Sequence, residues 1–189
     1  MPDAAKSSLP KKWVGRSLRR TEDKRLLTGK GQFLDDMKLP GMYHAAVLRS
    51  PYPHAIIKSV DASAALKMPG VRGVLTGEDV ARMSSPFPQA VDEPLEYYCI
   101  AVDRARFVGE GVAVVVAEDR YLAEDALQAI HVEYEPLTAV VDVEKAAEEG
   151  APILHPKVGT NVINHRELRY GDPDSAFAQA DVIVGEKFF

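Results

Sequence analysis

The sequence predicts an α+β fold, and three observations lead there. Residues Phe107 to Pro136 read as strand, amphipathic helix and strand. Elsewhere strands and short helices alternate irregularly. Several connections are too short for the crossovers of a fully parallel sheet, so a mixed sheet is expected.

The central unit is the most regular stretch. Gly109 and Gly111 bracket a tight turn. Val112 to Ala117 is an unbroken apolar run, mostly β-branched, as in a strand buried on both faces. Asp119 is placed to cap the next helix. Leu122, Ala123, Ala126, Leu127 and Ile130 form one apolar stripe over about three turns, with Glu124, Asp125 and Gln128 opposite. His131 to Glu135 then alternates, with Val132 and Tyr134 on one side, and Pro136 ends the strand.

The other elements follow in order. Residues 1–13 are expected to be a mobile arm, and residues 14–189 one domain. Thr21 to Gly29 reads as a short helix with Thr21 as cap and Gly29 as stop. Leu39-Pro40-Gly41 is a turn. Met42 to Arg49, Ala55 to Val60 and Val71 to Leu75 read as strands. Ser50-Pro51-Tyr52-Pro53-His54 is a rigid loop between the first two. Asp61 caps a helix through Lys67, and Thr76 caps another. Residues 84–94 are loop, and Tyr97 to Val102 reads as a strand. Asp142 opens a helix through Glu149, closed by Gly150. Asn161 to Tyr170 is extended. Asp172-Pro173-Asp174 starts a last helix, with Pro173 at the favoured first position. Asp181 to Phe189 reads as a final strand.

The 189 residues are 46% hydrophobic and 27% charged, the composition of a soluble globular chain with a real core. Cys99 is the single cysteine. An internal disulfide, or an iron–sulfur cluster held by this chain alone, is therefore excluded. No run approaches the ~18 apolar residues of a membrane span, and the N-terminus has no apolar segment of a secretory signal. A cytoplasmic chain is expected. Residues 1–30 hold nine Lys or Arg against three Asp or Glu, a balance of +6, which leaves −11 on the remainder of this −5 chain. Only Trp13 interleaves with that charge, so nucleic-acid binding is not the expected use; an arm lying on an acidic partner subunit, or on the chain's own acidic body, is.

The catalytic inventory is thin. His44, His54, His131, His155 and His165 contain no helical metal pair. His44 and His131 fall within strands and read as scaffold. His54 and His155 sit in proline-flanked loops, where a functional role has more room. Gly29-Lys30-Gly31 fits neither the dinucleotide nor the P-loop spacing. Asp35-Asp36 is a paired carboxylate, read as a solvated turn rather than a cation site. No serine sits in a nucleophile elbow. Cys99, between Tyr98 and Ile100, is expected to be a buried, inert thiol. The expected catalytic, cofactor-binding and metal residues of this chain are therefore none.

Five blocks carry a resemblance: RTEDKRLLTGKGQFLDD, LPGMYHAAVLRSPYPHAIIKSVD, PGVRGVLTGEDV, FVGEGVAVVVAEDRYLAEDALQAIHVEYEPL and GDPDSAFAQADVIV. From about Val14 onward the chain resembles the N-terminal part of the molybdenum-hydroxylase large subunit. That family includes xanthine dehydrogenase, aldehyde oxidase and carbon monoxide dehydrogenase, and the last type is the most similar. The resemblance implies the α/β hammerhead domain, ending where the molybdopterin-binding domain begins in relatives. It also implies an oxidoreductase assembly that oxidises a small molecule with water as oxygen source. The chain alone is expected to be inactive and to bind no cofactor. Molybdenum with molybdopterin cytosine dinucleotide would lie in a molybdopterin-binding large partner, and [2Fe-2S] and FAD in iron–sulfur and flavin subunits. Val182–Val184 and Phe188-Phe189 are expected to dock on that large partner. A stand-alone hammerhead binding module without redox activity is the competing expectation. Gly111 stands where many relatives have proline.

Overall fold

The computed structural model describes residue 15, residues 17–91 and residues 95–188. The expected N-terminal arm at 1–13, Trp13 and Phe189 lie outside them. The chain divides after Met42 into two compact units.

In the first unit, α1 spans Asp23–Leu27. Thr21 does not cap it. The position before the helix is Glu22, already helical, and its carboxylate pairs with Arg25 one turn on. Gly29 ends the helix as expected, with φ +68° and its N–H donating to Leu26 O at 3.2 Å. A 3₁₀ turn covers Leu34–Asp36. Its Asp36 Oδ2 accepts from Phe33 N–H at 3.0 Å, so one carboxylate of the acidic pair serves the turn.

In the second unit six strands form two three-stranded sheets. They are β1 (His44–Arg49), β2 (Ala55–Asp61), β3 (Val71–Thr76), β4 (Arg104–Ala105), β5 (Gly111–Ala117) and β6 (His131–Pro136). One sheet has the order β1-β5-β3 and the other β4-β2-β6. Odd strands build one sheet and even strands the other, so the path changes sheet at every step. Every pairing is antiparallel. The α+β class stands, but the single mixed sheet is corrected to two antiparallel ones. Sequence alternation reports elements, not the long-range partners that decide strand direction.

β5 is the centre of its sheet. His44↔Ala117 through Leu48↔Ala113 pair it with β1, and Gly73↔Val116 through Thr76↔Ala113 pair it with β3. Val112, Ala113, Val115 and Ala117 are fully buried, as the apolar run predicts. Asp119 caps α4 (Arg120–Leu127) by accepting Leu122 N–H at 2.9 Å. The helix is eight residues, shorter than expected, and it packs on β1, β5 and β3. Ala123 and Ala126 face the sheet, and Ala126 joins Ala113, Val115, Ala65 and Ile130 in one core. Alanine on both layers lets helix and strand approach closely. Glu124, Asp125 and Gln128 are exposed. The strand that follows, β6, does not return to the same sheet; it pairs with β2 from Ala55↔Pro136 to Asp61↔His131.

The remaining helices are short. Asp61 Oδ1 accepts Ser63 N–H at the start of α2 (Ser63–Leu66). Thr76 and Asp79 form a reciprocal capping box on α3 (Gly77–Met83). Asp142 opens α5, which ends at Ala146 rather than Glu149. Asp172 accepts Ser175 N–H on α6 (Pro173–Ala178).

Two expected strands are absent. Tyr97 to Val102 makes only isolated backbone bonds, Tyr97 O accepting from Phe87 and Ala101 N–H donating to Gly111 O. Residues 181–188 form no ladder, and Val182, Ile183, Val184 and Phe188 are exposed. A β-favouring composition becomes a strand only beside a partner edge, and neither segment has one among the described residues.

Candidate functional site

The loop Ser50–His54 links the two sheets, and its proline-spaced sequence turns two polar side chains inward. Ser50 and His54 are 2% and 3% exposed. Ser50 Oγ donates to Tyr52 O and accepts Tyr52 N–H, closing the loop on itself. His54 Nδ1 lies 2.7 Å from Thr138 O, and its Nε2 lies 2.9 Å from Arg104 Nη1. A carbonyl only accepts and a guanidinium only donates. The ring is therefore the neutral Nδ1–H tautomer, donating to Thr138 and accepting from Arg104. Both nitrogens are used structurally. His54 ties β2, β4 and the segment after β6 together.

The turn 106–110 is fastened to the same loop. Gly109 has φ +91°; its N–H donates to Ser50 O, and Ser50 N–H donates to Glu110 O, both at 2.8 Å. Arg49 Nη1 donates to Gly109 O at 2.8 Å. Gly111 lies within β5 and is met by Val47 Cγ1 at 3.3 Å from a would-be Cβ, so a larger residue there needs Val47 to give slightly. Glu110 is 5% exposed and its carboxylate accepts Arg106 N–H. Burial pushes this carboxyl above the usual range, outweighing the Arg106 amide and guanidinium that pull it down.

Beside these residues lies a cavity of about 690 Å³. β4 and the turn after it supply Arg104, Arg106 and Glu110; the segment 95–103 supplies Tyr97, Tyr98 and Asp103; and the loop 155–158 supplies His155 and Lys157. Arg106 donates from Nη1 to Arg104 O at 3.0 Å and from Nη2 to Asp103 Oδ1 at 3.3 Å. Lys157 pairs with Glu96 at the rim. Burial, then the charge of Arg106, holds the His155 imidazole below its ordinary value, so it stays neutral.

Of the two loop histidines singled out by sequence, the structure places His155 in the cavity and commits His54 to scaffold. His44 and His131 lie in β1 and β6, as expected of strand residues. Cys99 is exposed, correcting the expectation of a buried thiol. Without a ladder at 97–102, its neighbours do not cover it. Sequence reasoning missed Arg104, Arg106 and Glu110. The available signal was the Arg-x-Arg spacing beside a Gly-Glu-Gly turn, which sets two guanidinium groups near one buried carboxyl. Among the described residues no group of three or more His, Cys, Asp or Glu is placed to hold a metal. The cavity donors are mainly guanidinium and ammonium groups already bonded to protein acceptors. Such a set does not fit a molybdenum centre, and no chemical step on this chain runs through one.

Comparison with known proteins supplies the context. Residues 28–138 match the family model "Aldehyde oxidase and xanthine dehydrogenase, a/b hammerhead domain". The 6-hydroxypseudooxynicotine dehydrogenase complex subunit gamma of Paenarthrobacter nicotinovorans is 38% identical over 93% of this chain and 23% of that protein. The carbon monoxide dehydrogenase large chain of Afipia carboxidovorans is 35% identical over 99% of this chain and 25% of that protein. The structure of quinoline 2-oxidoreductase from Pseudomonas putida 86 superposes with a TM-score of 0.75 at 42% identity, covering 93% of this chain and 23% of that one. The chain spans about a quarter of the length of these relatives.

Proposed function

Because the chain belongs to the aldehyde oxidase and xanthine dehydrogenase family through its a/b hammerhead domain, we propose that it is the non-catalytic hammerhead part of a molybdopterin-dependent hydroxylase. Within that family the proposal is the carbon monoxide dehydrogenase large-chain type, acting on a small molecule with water as oxygen source. The carrying observation is the breadth of the match: over nine-tenths of this chain aligns to about a quarter of each molybdenum-hydroxylase relative. The proposed hammerhead extends over residues 14–189, beyond the 28–138 that match the family model.

The oxidation chemistry would come from molybdenum with molybdopterin cytosine dinucleotide on a large partner, with [2Fe-2S] and FAD in further subunits. This chain's residues do other work. The two sheets and the His54–Arg104 tie hold a rigid wall. Val182, Ile183, Val184 and Phe188, exposed beyond α6, supply apolar surface for the large partner. The proposal places the assembly in the cytoplasm; among the described residues no helix is long and apolar enough to cross a membrane.

The test is capture of the tagged chain from its native host, followed by metal analysis and dehydrogenase assay. Molybdenum and activity are expected in the captured assembly and neither in the chain alone. Stoichiometric molybdenum on the isolated chain, or capture without any pterin-carrying partner, overturns the reading.

A further inference from the structure

An outer strand offers unpaired N–H and C=O groups to any passing strand, and folds protect it by shortness, charge, a bulge or proline. Three of the four outer strands here carry such protection. β4 has only two residues. β6 bears exposed Glu133 and Glu135 and ends at Pro136. β3 is bulged between Val71 and Gly73, at the exposed Arg72. Between its end residues β1 carries none. Its centre is Ala45-Ala46-Val47-Leu48, and its one strand neighbour is β5. Ser50 gives its N–H to Glu110 O and takes Gly109 N–H on its carbonyl, so its backbone groups point to the β5 side. By the alternation of an antiparallel ladder, Ala45 and Val47 turn theirs to the outside. Among the described residues nothing beyond β5 bonds them there. The side chains of Tyr43, Ala45, Val47 and Arg49 are exposed as well.

We propose that β1 is the joint of a homodimer, pairing antiparallel with β1 of a second copy about a two-fold axis at Ala46. The occupant is a second copy because β1 is complementary to itself. A two-fold axis normal to the sheet makes the contact isologous, and residues opposed across it share one face. Centred on Ala46, the register sets Ala45 opposite Val47, His44 opposite Leu48 and Tyr43 opposite Arg49. The outward backbone groups of Ala45 and Val47 then satisfy each other. No cation faces a cation; Arg49 meets an aromatic ring, which attracts it. A register centred on Val47 instead would set Ser50 opposite His44, and the backbone of Ser50 is already spent on Gly109 and Glu110. The proposal stands on β1 itself and does not depend on the assembly described above.

The test uses the full chain. Sedimentation over a dilution series is expected to show a reversible dimer with a Kd on the order of 100 μM, since an edge pairing lies at the small end of specific interfaces. Val47→Lys puts a charge on the exposed edge and is expected to raise that Kd at least about ten-fold while the monomer still melts cooperatively. The register is read by cysteines in a Cys99→Ser background, which removes the single native thiol. Ala46→Cys faces itself across the axis, where opposed Cα atoms lie about 4.5 Å apart, within disulfide reach. It is expected to oxidise to a covalent dimer. Ala45→Cys faces Val47 and is expected to give none. Should a cysteine variant fail to fold, hydrogen exchange of the wild type decides: the Ala45 and Val47 amides are expected to slow as concentration rises, in step with the dimer. A chain monomeric at millimolar concentration, a dimer indifferent to Val47→Lys, or equal cross-linking by both cysteine variants overturns the proposal. So does a β1 edge whose amides slow only when a pterin-carrying partner is added, because its occupant is then a foreign strand.

Discussion

Arg104 Nη1 lies 2.9 Å from His54 Nε2, joining side chains 50 positions apart. The contact is between a permanent donor and the lone pair of a neutral ring whose other nitrogen already serves Thr138 O. His54→Phe keeps the ring volume and deletes both bonds. It is expected to cost about 2–3 kcal/mol, because a buried carbonyl and a buried guanidinium lose partners together. Urea melts of the two proteins measure this, and a loss under about 0.5 kcal/mol would mean that water replaces the ring.

Gly77 and Gly73 make a paired expectation. A Cβ on Gly77 would stand 2.1 Å from Ala101 O and 2.7 Å from Val102 Cα, both backbone atoms. Gly73 has nothing within 4 Å of the same atom and no positive φ. Gly77→Ala is expected to destabilise by about 3 kcal/mol or more through forced backbone movement. Gly73→Ala is expected to be neutral or to stabilise by up to about 1 kcal/mol through chain entropy. Thermal melts that rank the two in the opposite order would show that α3 does not sit against residues 101–102.

Glu110 sets a pH dependence with a definite sign. Its proton is held more tightly in the folded chain than at its ordinary value of 4.5. Across the window from 4.5 up to the raised value, the folded state binds more protons. This group therefore lowers stability as pH rises through that window. Glu110→Gln keeps an acceptor for Arg106 N–H and removes the titration. The melting temperature of the variant minus that of the parent is expected to increase from pH 4 to pH 8. A constant or falling difference would show that the carboxylate is stabilised in place by Arg106.

The parts of this fold legible in sequence are those whose cause is local. Thr76, Asp119, Asp142 and Asp172 cap as expected, because each oxygen reaches an amide two or three residues ahead. The burial of Val112–Ala117 and the face of α4 follow from periodicity alone. Thr21 failed one residue too early, where the turn had already begun at Arg20. What sequence hides is partnership. Val182–Val184 and Tyr97–Val102 have strand composition but no edge to join. The cavity gathers Arg104, Arg106 and His155 from segments about fifty residues apart, and nothing local to any of them announces the others.

The strict alternation of strands between sheets has a consequence for how the molecule is made. β1 and β3 never touch as neighbours; each waits for β5, the fifth strand to leave the ribosome. β2 has most of its partner bonds in β6, the last. A nascent chain released as far as residue 110 therefore owns four strands and neither completed sheet. Its exposed edges are open to foreign pairing until residues 111–136 arrive. Any backbone cut between β2 and β5 would sever both sheets at once. Either half alone would hold no complete sheet, and the two are expected to complement one another only when supplied together.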